Sequence, residues 1–462
     1  MMRAMMDNTR DIFCIIGAGS SGLAVAKTFV QRGIAFHLLE KAGDLGGLWN
    51  IGTDSGIVYE TTHLVSAKSS TDFDDFKWPE EGFPEYPSHA VVMQYFRDYA
   101  AHFGVTPHIQ YHVSVERVTQ RLDGAFDVQV AGEARPRVYK GVVVANGHHN
   151  EPRMPVYPGT FAGQIMHSRD YRSPTQLRDK RVMVVGVGNS GCDIIRDAAH
   201  SGQQVVVSMR RGTWFVPKFL LGFPTHDIVS WIEWIPQPRL IKRWVMQASL
   251  WVLQGPPARY GLPAPEHPID AAHPTMSDEI PRLAAHGRIT VKGEIARYDG
   301  RDVVFADESR ETVDLVVFAT GFEPTIPFLD RGLVFDDAGQ SRLFLNVVHP
   351  EHHGLYFAGF VQANGSIWRL ADYQGQLIAN AIVADALVPD EARRFRDEIQ
   401  ARGKGLPRGN FVKSARHILE TNYYDYSRVL RREARRFRKA QKLSLAAATA
   451  VAASPRSAVA AE

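Results

Sequence analysis

Residues 11–26 read Asp-Ile-Phe-Cys-Ile-Ile-Gly-Ala-Gly-Ser-Ser-Gly-Leu-Ala-Val-Ala, and residues 181–195 read Arg-Val-Met-Val-Val-Gly-Val-Gly-Asn-Ser-Gly-Cys-Asp-Ile-Ile. In each, a short apolar run of strand character ends in Gly-x-Gly-x-x-Gly and passes straight into a helical pattern: Gly17, Gly19 and Gly22 in the first, Gly186, Gly188 and Gly191 in the second. The first glycine permits a tight turn, the second lets backbone approach a pyrophosphate, and the third lets the helix pack closely on the strand. Ala18, Ser20 and Ser21, and likewise Asn189 and Ser190, fill the turn and open the helix, where free N–H groups and a partial positive charge favour phosphate. One glycine triplet is weak evidence, because glycine also caps ordinary helices. Two copies of one strand-turn-helix device imply two dinucleotides meeting at one centre, with electrons passing between them.

The residues at the end of the next strand tell the two sites apart. After the first motif, Ile34–Leu39 leads to Glu40 and Lys41; a carboxylate there accepts hydrogen bonds from ribose hydroxyls. After the second, Val205–Met209 delivers Arg210 and Arg211 and no acid. Guanidinium groups suit a 2′-phosphate that a carboxylate would repel, so this nucleotide is expected to be NADPH; a solvated surface pair is the plainer alternative. Gly46-Gly47-Leu48-Trp49 has two readings, backbone held against a flat ring system or a glycine loop with a core tryptophan.

The elements that must position these residues follow from the pattern of the chain. With 462 residues, 45% of them hydrophobic, there is material for two or three domains with real cores. A net charge of +3 argues for no polyanionic partner such as nucleic acid. The only cysteines, Cys14 and Cys192, lie inside the two glycine motifs, so there is no redox Cys-x-x-Cys pair, and a reducing compartment is expected. No signal sequence and no 18-residue apolar run is present, which points to a cytoplasmic protein. A helix is expected from Ser88 to Phe103, strands at Val113–Val118 and Phe126–Val130 around an Asp123-Gly124 turn, and buried strands at Val142–Val144, Val313–Phe318 and Leu355–Phe357. Val142–Gly147 and Val313–Gly321 share one pattern, a buried strand running into a small residue, a polar residue and glycine. Such paired crossings suit a chain that enters and leaves an inserted domain. His148 and His149 read as loop histidines beside that hinge. Tyr373-Gln374-Gly375-Gln376 reads as the opening of a helix whose N-terminus could face a ring. Residues 214–260 hold five of the eight tryptophans; core packing comes first there, with a substrate-channel wall, an oligomer contact or a membrane-surface helix as alternatives.

Taken together, these residues resemble the flavin-containing monooxygenases, from Asp11 to about Leu387. The carriers are Gly17–Gly22, Gly46-Gly47-Leu48-Trp49, Gly147-His148-His149 with the following prolines, Asn189-Ser190-Gly191 and Phe318-Ala319-Thr320-Gly321-Phe322. Most specific is Phe161-x-Gly163-x-x-x-His167-x-x-x-Tyr171, similar to the family's identifying signature; related Baeyer–Villiger enzymes usually have tryptophan where Tyr171 stands.

The resemblance implies an α/β fold of two Rossmann-like dinucleotide-binding domains, the NADPH domain inserted into a discontinuous FAD domain. The expected limits are 1–168 for the first part of the FAD domain, 169–316 for the NADPH domain with an aromatic-rich insert at 213–265, 317–440 for the second part of the FAD domain, and 441–462 for a disordered tail. Thr320, Gly321 and Gln374 join the cofactor-binding set. The implied chemistry is hydride transfer from NADPH to FAD, formation of a flavin C4a-hydroperoxide with O2, shielding of it by retained NADP+, and attack of an amine nitrogen or sulfide sulfur on the distal oxygen. The substrate is expected to be a small apolar or aromatic molecule, and a homodimer is possible. One departure stands out: where the family commonly has asparagine against flavin and nicotinamide, the best match here is Val65. His63, Ser66 and Lys68 flank it and become the candidates to take over that polar contact. The alternatives are a Baeyer–Villiger or N-hydroxylating enzyme, and an FAD-binding NADPH oxidase or sensor that yields only peroxide.

Overall fold

The computed structural model describes residues 9–79, 81–234, 238–271, 274–402, 406, 418–437 and 442. Two five-stranded parallel sheets organise it. The chain opens the first with β1 (Phe13–Ile16), β2 (Phe36–Leu39), β3 (Ile109–Gln110) and β4 (Gly141–Val144). It then leaves to build the second from β5 (Gln164–His167), β6 (Arg181–Val185), β7 (Gln204–Ser208), β8 (Thr290–Lys292) and β9 (Leu315–Phe318), and returns to the first with β10 (Leu355–Phe357). The strand order is β10-β4-β1-β2-β3 in the first sheet and β8-β7-β6-β9-β5 in the second, with every pairing parallel.

The two sheets match strand for strand, β1 with β6, β2 with β7, β3 with β8 and β4 with β9. Each also carries an antiparallel meander before its fourth strand: Val115–Gln120, Phe126–Val130 and Arg137–Tyr139 in the first, Ile295–Asp299, Asp302–Phe305 and Arg310–Thr312 in the second. The central strands β1, β4 and β9 and residues Val182–Val185 of β6 are covered on both faces, which is why these runs are apolar throughout rather than alternating. Phe13 and Ile15 of β1 face one core while Cys14 and Ile16 face another; Val182 and Val184 of β6 are separated in the same way from Met183 and Val185.

The helices that bear on the site are α1 (Ser20–Arg32), α2 (His89–His102), α3 (Asn189–Ser201), α4 (Thr225–Trp234), α5 (Arg239–Gln254), α6 (Ile367–Leu387) and α7 (Tyr423–Arg435). Helix α1 starts directly after Gly19 and stops at Gly33, whose φ of +63° favours glycine. Helix α6 crosses it at Gly375, where a Cβ would stand only 3.2 Å from the Val25 Cα. Beside that crossing Lys27 is buried, which its two carboxylate partners make tolerable: Asp75 at 2.7 Å and Asp372 at 2.5 Å. The two passages between the sheets lie side by side, with Glu151–Pro152 pairing antiparallel with Phe322–Glu323.

Several expectations need correction. Strand β5 precedes the expected domain limit at residue 168 yet pairs with β9, so the second sheet begins before its glycine motif. Gln374 does not open a helix: α6 begins at Ile367 behind the N-cap Ser366, whose hydroxyl accepts from the Arg369 amide. Helix α2 matches its expected span, although its N-cap Ser88 makes no side-chain cap bond. Core packing fails for much of the aromatic stretch, because α5 exposes Leu240 (70%), Trp244 (71%), Trp251 (63%) and Val252 (77%) to solvent. The expected tail, 441–462, lies outside the described residues apart from Lys442.

Candidate cofactor and active site

The two glycine motifs fold into the same object. Gly17 and Gly186 share a φ of 104° and follow β1 and β6. A Cβ on either would stand 2.6 Å from a carbonyl oxygen, that of Ala145 or that of Ala319, each just past the neighbouring fourth strand. Gly22 and Gly191 lie against the Gly17 and Gly186 carbonyl oxygens, and an added Cβ would collide with them. The sequence assigns neither Ala145 nor Ala319 a place against the glycine turns, although the repeated pattern of strand, alanine, polar residue and glycine is the available signal. Gly19 and Gly188 serve as the N-caps of α1 and α3, with no side-chain cap bond, so both helix openings present bare backbone N–H groups.

The first cradle has a second glycine wall. The Gly46 amide donates to the Ala18 carbonyl at 2.9 Å, and the Gly47 Cα faces Gly19 so closely that a Cβ on Gly47 would stand 3.0 Å from the Gly19 Cα. Leu48 is exposed beside it, whereas Trp49 packs against the first core. Buried Glu40 anchors the turn, one carboxylate oxygen accepting from the Ala18 amide at 2.7 Å and the other from the Ala42 amide at 2.9 Å. Each oxygen keeps further acceptor capacity for a ribose hydroxyl. Ser21 packs against Gly359, and Lys41 is exposed at the rim. A cradle that only glycine can build, an acid at the end of its second strand and unshielded helix N–H groups fit the adenosine diphosphate part of FAD.

In the second cradle Asn189 and Ser190 are exposed at the start of α3. Thr275 and Met276 close over the turn, the Thr275 hydroxyl donating to the Val187 carbonyl at 2.9 Å and the Met276 amide to the Asn189 side chain at 3.2 Å. Arg210 and Arg211 emerge exposed just after β7, and Arg210 has a loose partner in Glu294 at 3.7 Å. Two guanidinium groups beside a glycine cradle fit the phosphorylated ribose of NADPH.

Other expected site residues are placed differently. Gln374 is fully buried and structural: its side-chain oxygen accepts from the Gly359 amide at 2.8 Å, while its amide donates to the Tyr426 hydroxyl at 2.9 Å. Thr320 and Gly321 hold the hinge, the Thr320 hydroxyl donating to the Arg153 carbonyl and the Gly321 carbonyl accepting from the Arg153 amide at 3.0 Å. His167 of the signature shares a hydrogen bond with that same Gly321 carbonyl at 3.1 Å. His148 and His149 stand against each other beside this hinge, and burial keeps both neutral, pushing His148 down to about 4 and His149 to about 3.

The three residues flanking Val65 do not converge. His63 is exposed, with Nδ1 near the Thr61 carbonyl at 3.1 Å; Ser66 bonds to the Thr71 hydroxyl; the Lys68 ammonium donates to the Phe83 carbonyl at 3.2 Å. Sequence reasoning also missed a cluster between the cradles, formed by Tyr59, Thr61 and Tyr171 with Asp193 and Asp197 of α3. Its signal was two acids one helical turn apart, Asp193 and Asp197, with Arg196 beside them.

Two cradles of one design, distinguished by an acid in the first and paired arginines in the second, define an oxidoreductase that works with two dinucleotides. The model of the flavin-binding monooxygenase-like family matches residues 11–436, and the chain belongs to that family. It is 32% identical over 436 residues to dimethylaniline monooxygenase (N-oxide-forming) 2 of Rattus norvegicus, covering 89% of this chain and 80% of that one. Flavin-containing monooxygenase 5 of Mus musculus is 30% identical over 434 residues with the same coverage. Among solved structures, the S-allyl-L-cysteine S-oxygenase of Allium sativum is similar in fold at a TM-score of 0.62 and 21% identity, over 91% of this chain and 88% of that one. A closed cyclohexanone monooxygenase reaches 0.66 at 16% identity, over 92% and 97%. The chain is thus an NADPH- and O2-dependent flavin monooxygenase with FAD and NADPH as cofactors and a small molecule as substrate. Among the described residues no helix is long and apolar enough to cross a membrane.

Proposed function

We propose that the enzyme transfers one oxygen atom from O2 to a soft nucleophile, an amine nitrogen or a sulfide sulfur, on a small apolar or aromatic molecule. The observation that carries this reading is the pair of matched cradles, with Glu40 in one and Arg210 and Arg211 in the other. The first cradle, with Gly17–Gly22, Glu40 and Gly47, would hold FAD; the second, with Gly186–Gly191, Arg210 and Arg211, would hold NADPH. By this reading residues 1–168 and 317–440 form the FAD part and residues 169–316 the NADPH part, the limit at 168 moving ahead of β5 as its sheet requires.

Bound flavin, reduced by NADPH, supplies the capacity to activate O2. The protein's own residues bind, orient and exclude water. Glu40 orients the glycine turn, the helix openings of α1 and α3 neutralise diphosphate charge, and the arginines select the phosphorylated nucleotide. His63, Ser66 and Lys68 bond to Thr61, Thr71 and Phe83 rather than to one another, in keeping with chemistry in which positioning does most of the work. The names of two similar proteins, an N-oxide-forming dimethylaniline monooxygenase and an S-oxygenase, support nitrogen and sulfur as targets.

Purified holoenzyme given NADPH, O2 and N,N-dimethylaniline or an aryl methyl sulfide is expected to yield the N-oxide or sulfoxide. Stopped-flow mixing of reduced enzyme with O2 is expected to show a transient distinct from reduced and oxidised flavin, lengthened by NADP+. Lactone from a cyclic ketone with no N- or S-oxide would replace this reading by Baeyer–Villiger oxidation. Peroxide alone, with no oxygenated product, would replace it by an NADPH oxidase. The divergence of His63, Ser66 and Lys68 around Val65 favours some peroxide release alongside product.

A further inference from the structure

Tyr171 ends the chain's most specific signature, yet it lies in neither cradle. It is fully buried in the second core, and its hydroxyl donates to Asp197 Oδ2 at 2.9 Å. The Thr61 hydroxyl donates to that same oxygen at 2.6 Å. One turn earlier on α3, Asp193 Oδ2 accepts from the Tyr59 hydroxyl at 2.7 Å, and the Tyr59 and Tyr171 rings stand 5.1 Å apart. Arg196, between the two acids, balances their charge at 3.2 Å from Asp197 and 3.4 Å from Asp193.

The donors come from both sides of the molecule. Tyr59 and Thr61 belong to the stretch between β2 and β3 of the first sheet, but Tyr59 is buried in the core of the second. Their turn is closed by the Tyr59 amide on the Thr62 hydroxyl at 2.9 Å and by the Thr62 amide on the Tyr59 carbonyl at 2.9 Å. The Glu60 amide donates to the Arg172 carbonyl at 2.8 Å, next to the signature tyrosine. Both acids sit on the helix whose first residues form the second cradle, and the loop runs on from Thr61 to Val65. Buried hydrogen bonds to carboxylates are strong and directional, so this cluster fixes where the loop stands relative to α3.

We propose that Tyr171, Thr61 and Asp197, with the Tyr59–Asp193 pair, form a latch that holds the loop 59–66 of the first sheet against the NADPH-side helix α3, and so governs how tightly the oxidised nicotinamide nucleotide is kept. They are positioning residues, acting on the nucleotide through the loop. The inference rests on the assignment of the second cradle to NADPH.

Tyr171→Phe and Thr61→Val, singly and combined, remove the donors while keeping the shapes; Asp197→Asn keeps an acceptor oxygen. In the FAD-loaded enzyme, NADP+ affinity is read from the change in flavin absorbance on titration, and hydrogen exchange is followed in peptides covering 59–66. Loss of one donor to the carboxylate is expected to raise the NADP+ Kd about tenfold and the double variant further. Exchange in 59–66 should rise in step, FAD content should stay full, and Asp197→Asn should restore most of the affinity lost in Asp197→Ala. An unchanged NADP+ Kd in the double variant, with or without faster exchange, would overturn the latch and leave these contacts as packing alone. If wild-type enzyme shows no response to NADP+, the nucleotide assignment fails; the exchange measurement then separates that failure from the absence of a latch. Should Tyr171→Phe fail to fold, the partly exposed Thr61→Val carries the test.

Discussion

Arg210 and Arg211 stand after β7 where Glu40 stands after β2, and on the proposed reading that exchange of sign tells the two nucleotides apart. Replacing both arginines by alanine is expected to raise the KM for NADPH by about 10- to 100-fold, from the loss of charge-assisted bonds to phosphate, and to leave the KM for NADH within about twofold. Steady-state kinetics with the two coenzymes checks this, and equal effects would remove the 2′-phosphate role. Histidines give a second residue-scale expectation. Burial pushes His148 down to about 4, and burial with the nearby His352 charge pushes His349 to about 4. Against an ordinary imidazole near 6.5, the folded protein binds fewer protons than the unfolded chain at mildly acid pH. The stability tied to these groups is therefore complete above about pH 6.5 and is lost as pH falls toward 4. Melts from about pH 8 to about pH 4.5 should show Tm falling mainly below 6.5, and His349→Gln should flatten that fall. A Tm level down to pH 4.5 would contradict the account.

Among the elements, the cradles were legible because their requirements are local. A glycine turned to φ 104° and another pressed on its carbonyl are dictated by spacing within six residues, although the Ala145 and Ala319 carbonyls that the first glycine meets come from far along the chain. The same geometry makes a prediction about independence. Gly191→Ala, which would drive a methyl into the Gly186 carbonyl, should purify yellow with FAD while its NADPH KM rises about 10-fold or more; Gly22→Ala should lose flavin or fail to fold. Absorbance at the flavin band against protein concentration decides it. What sequence could not give was contact at long range. Nothing within Tyr373–Gln376 reveals that α6 has already started at Ile367, six residues before Tyr373, or that Gln374 serves the Gly359 amide. Nor does the helical spacing of Arg239–Gln254 say whether its apolar face meets a core or water. The bonds from Thr61 to Asp197 and from Tyr59 to Asp193 join side chains 136 and 134 residues apart, beyond the reach of any periodicity.

At the scale of the whole molecule, the apolar face of α5 is the clearest exception to burial. Trp244 is 71% exposed, so Trp244→Gln should shift Tm by no more than about 1–2 °C, within the range of ordinary surface substitutions, while reducing self-association seen by light scattering. A large loss of Tm would mean that the residue packs inside the folded unit.

The return of the chain to its first sheet also fixes an order of events during translation. The second sheet is complete once Phe318 has left the ribosome, whereas the first still lacks β10 and the helix that braces Gly359 through Gln374. Domains mature from the amino end only when their parts are contiguous. Here the inner sheet is finished before the outer one that encloses it, and a nascent polypeptide halted before Leu355 already carries both glycine turns while its first sheet lacks an edge strand and the helix that packs on α1.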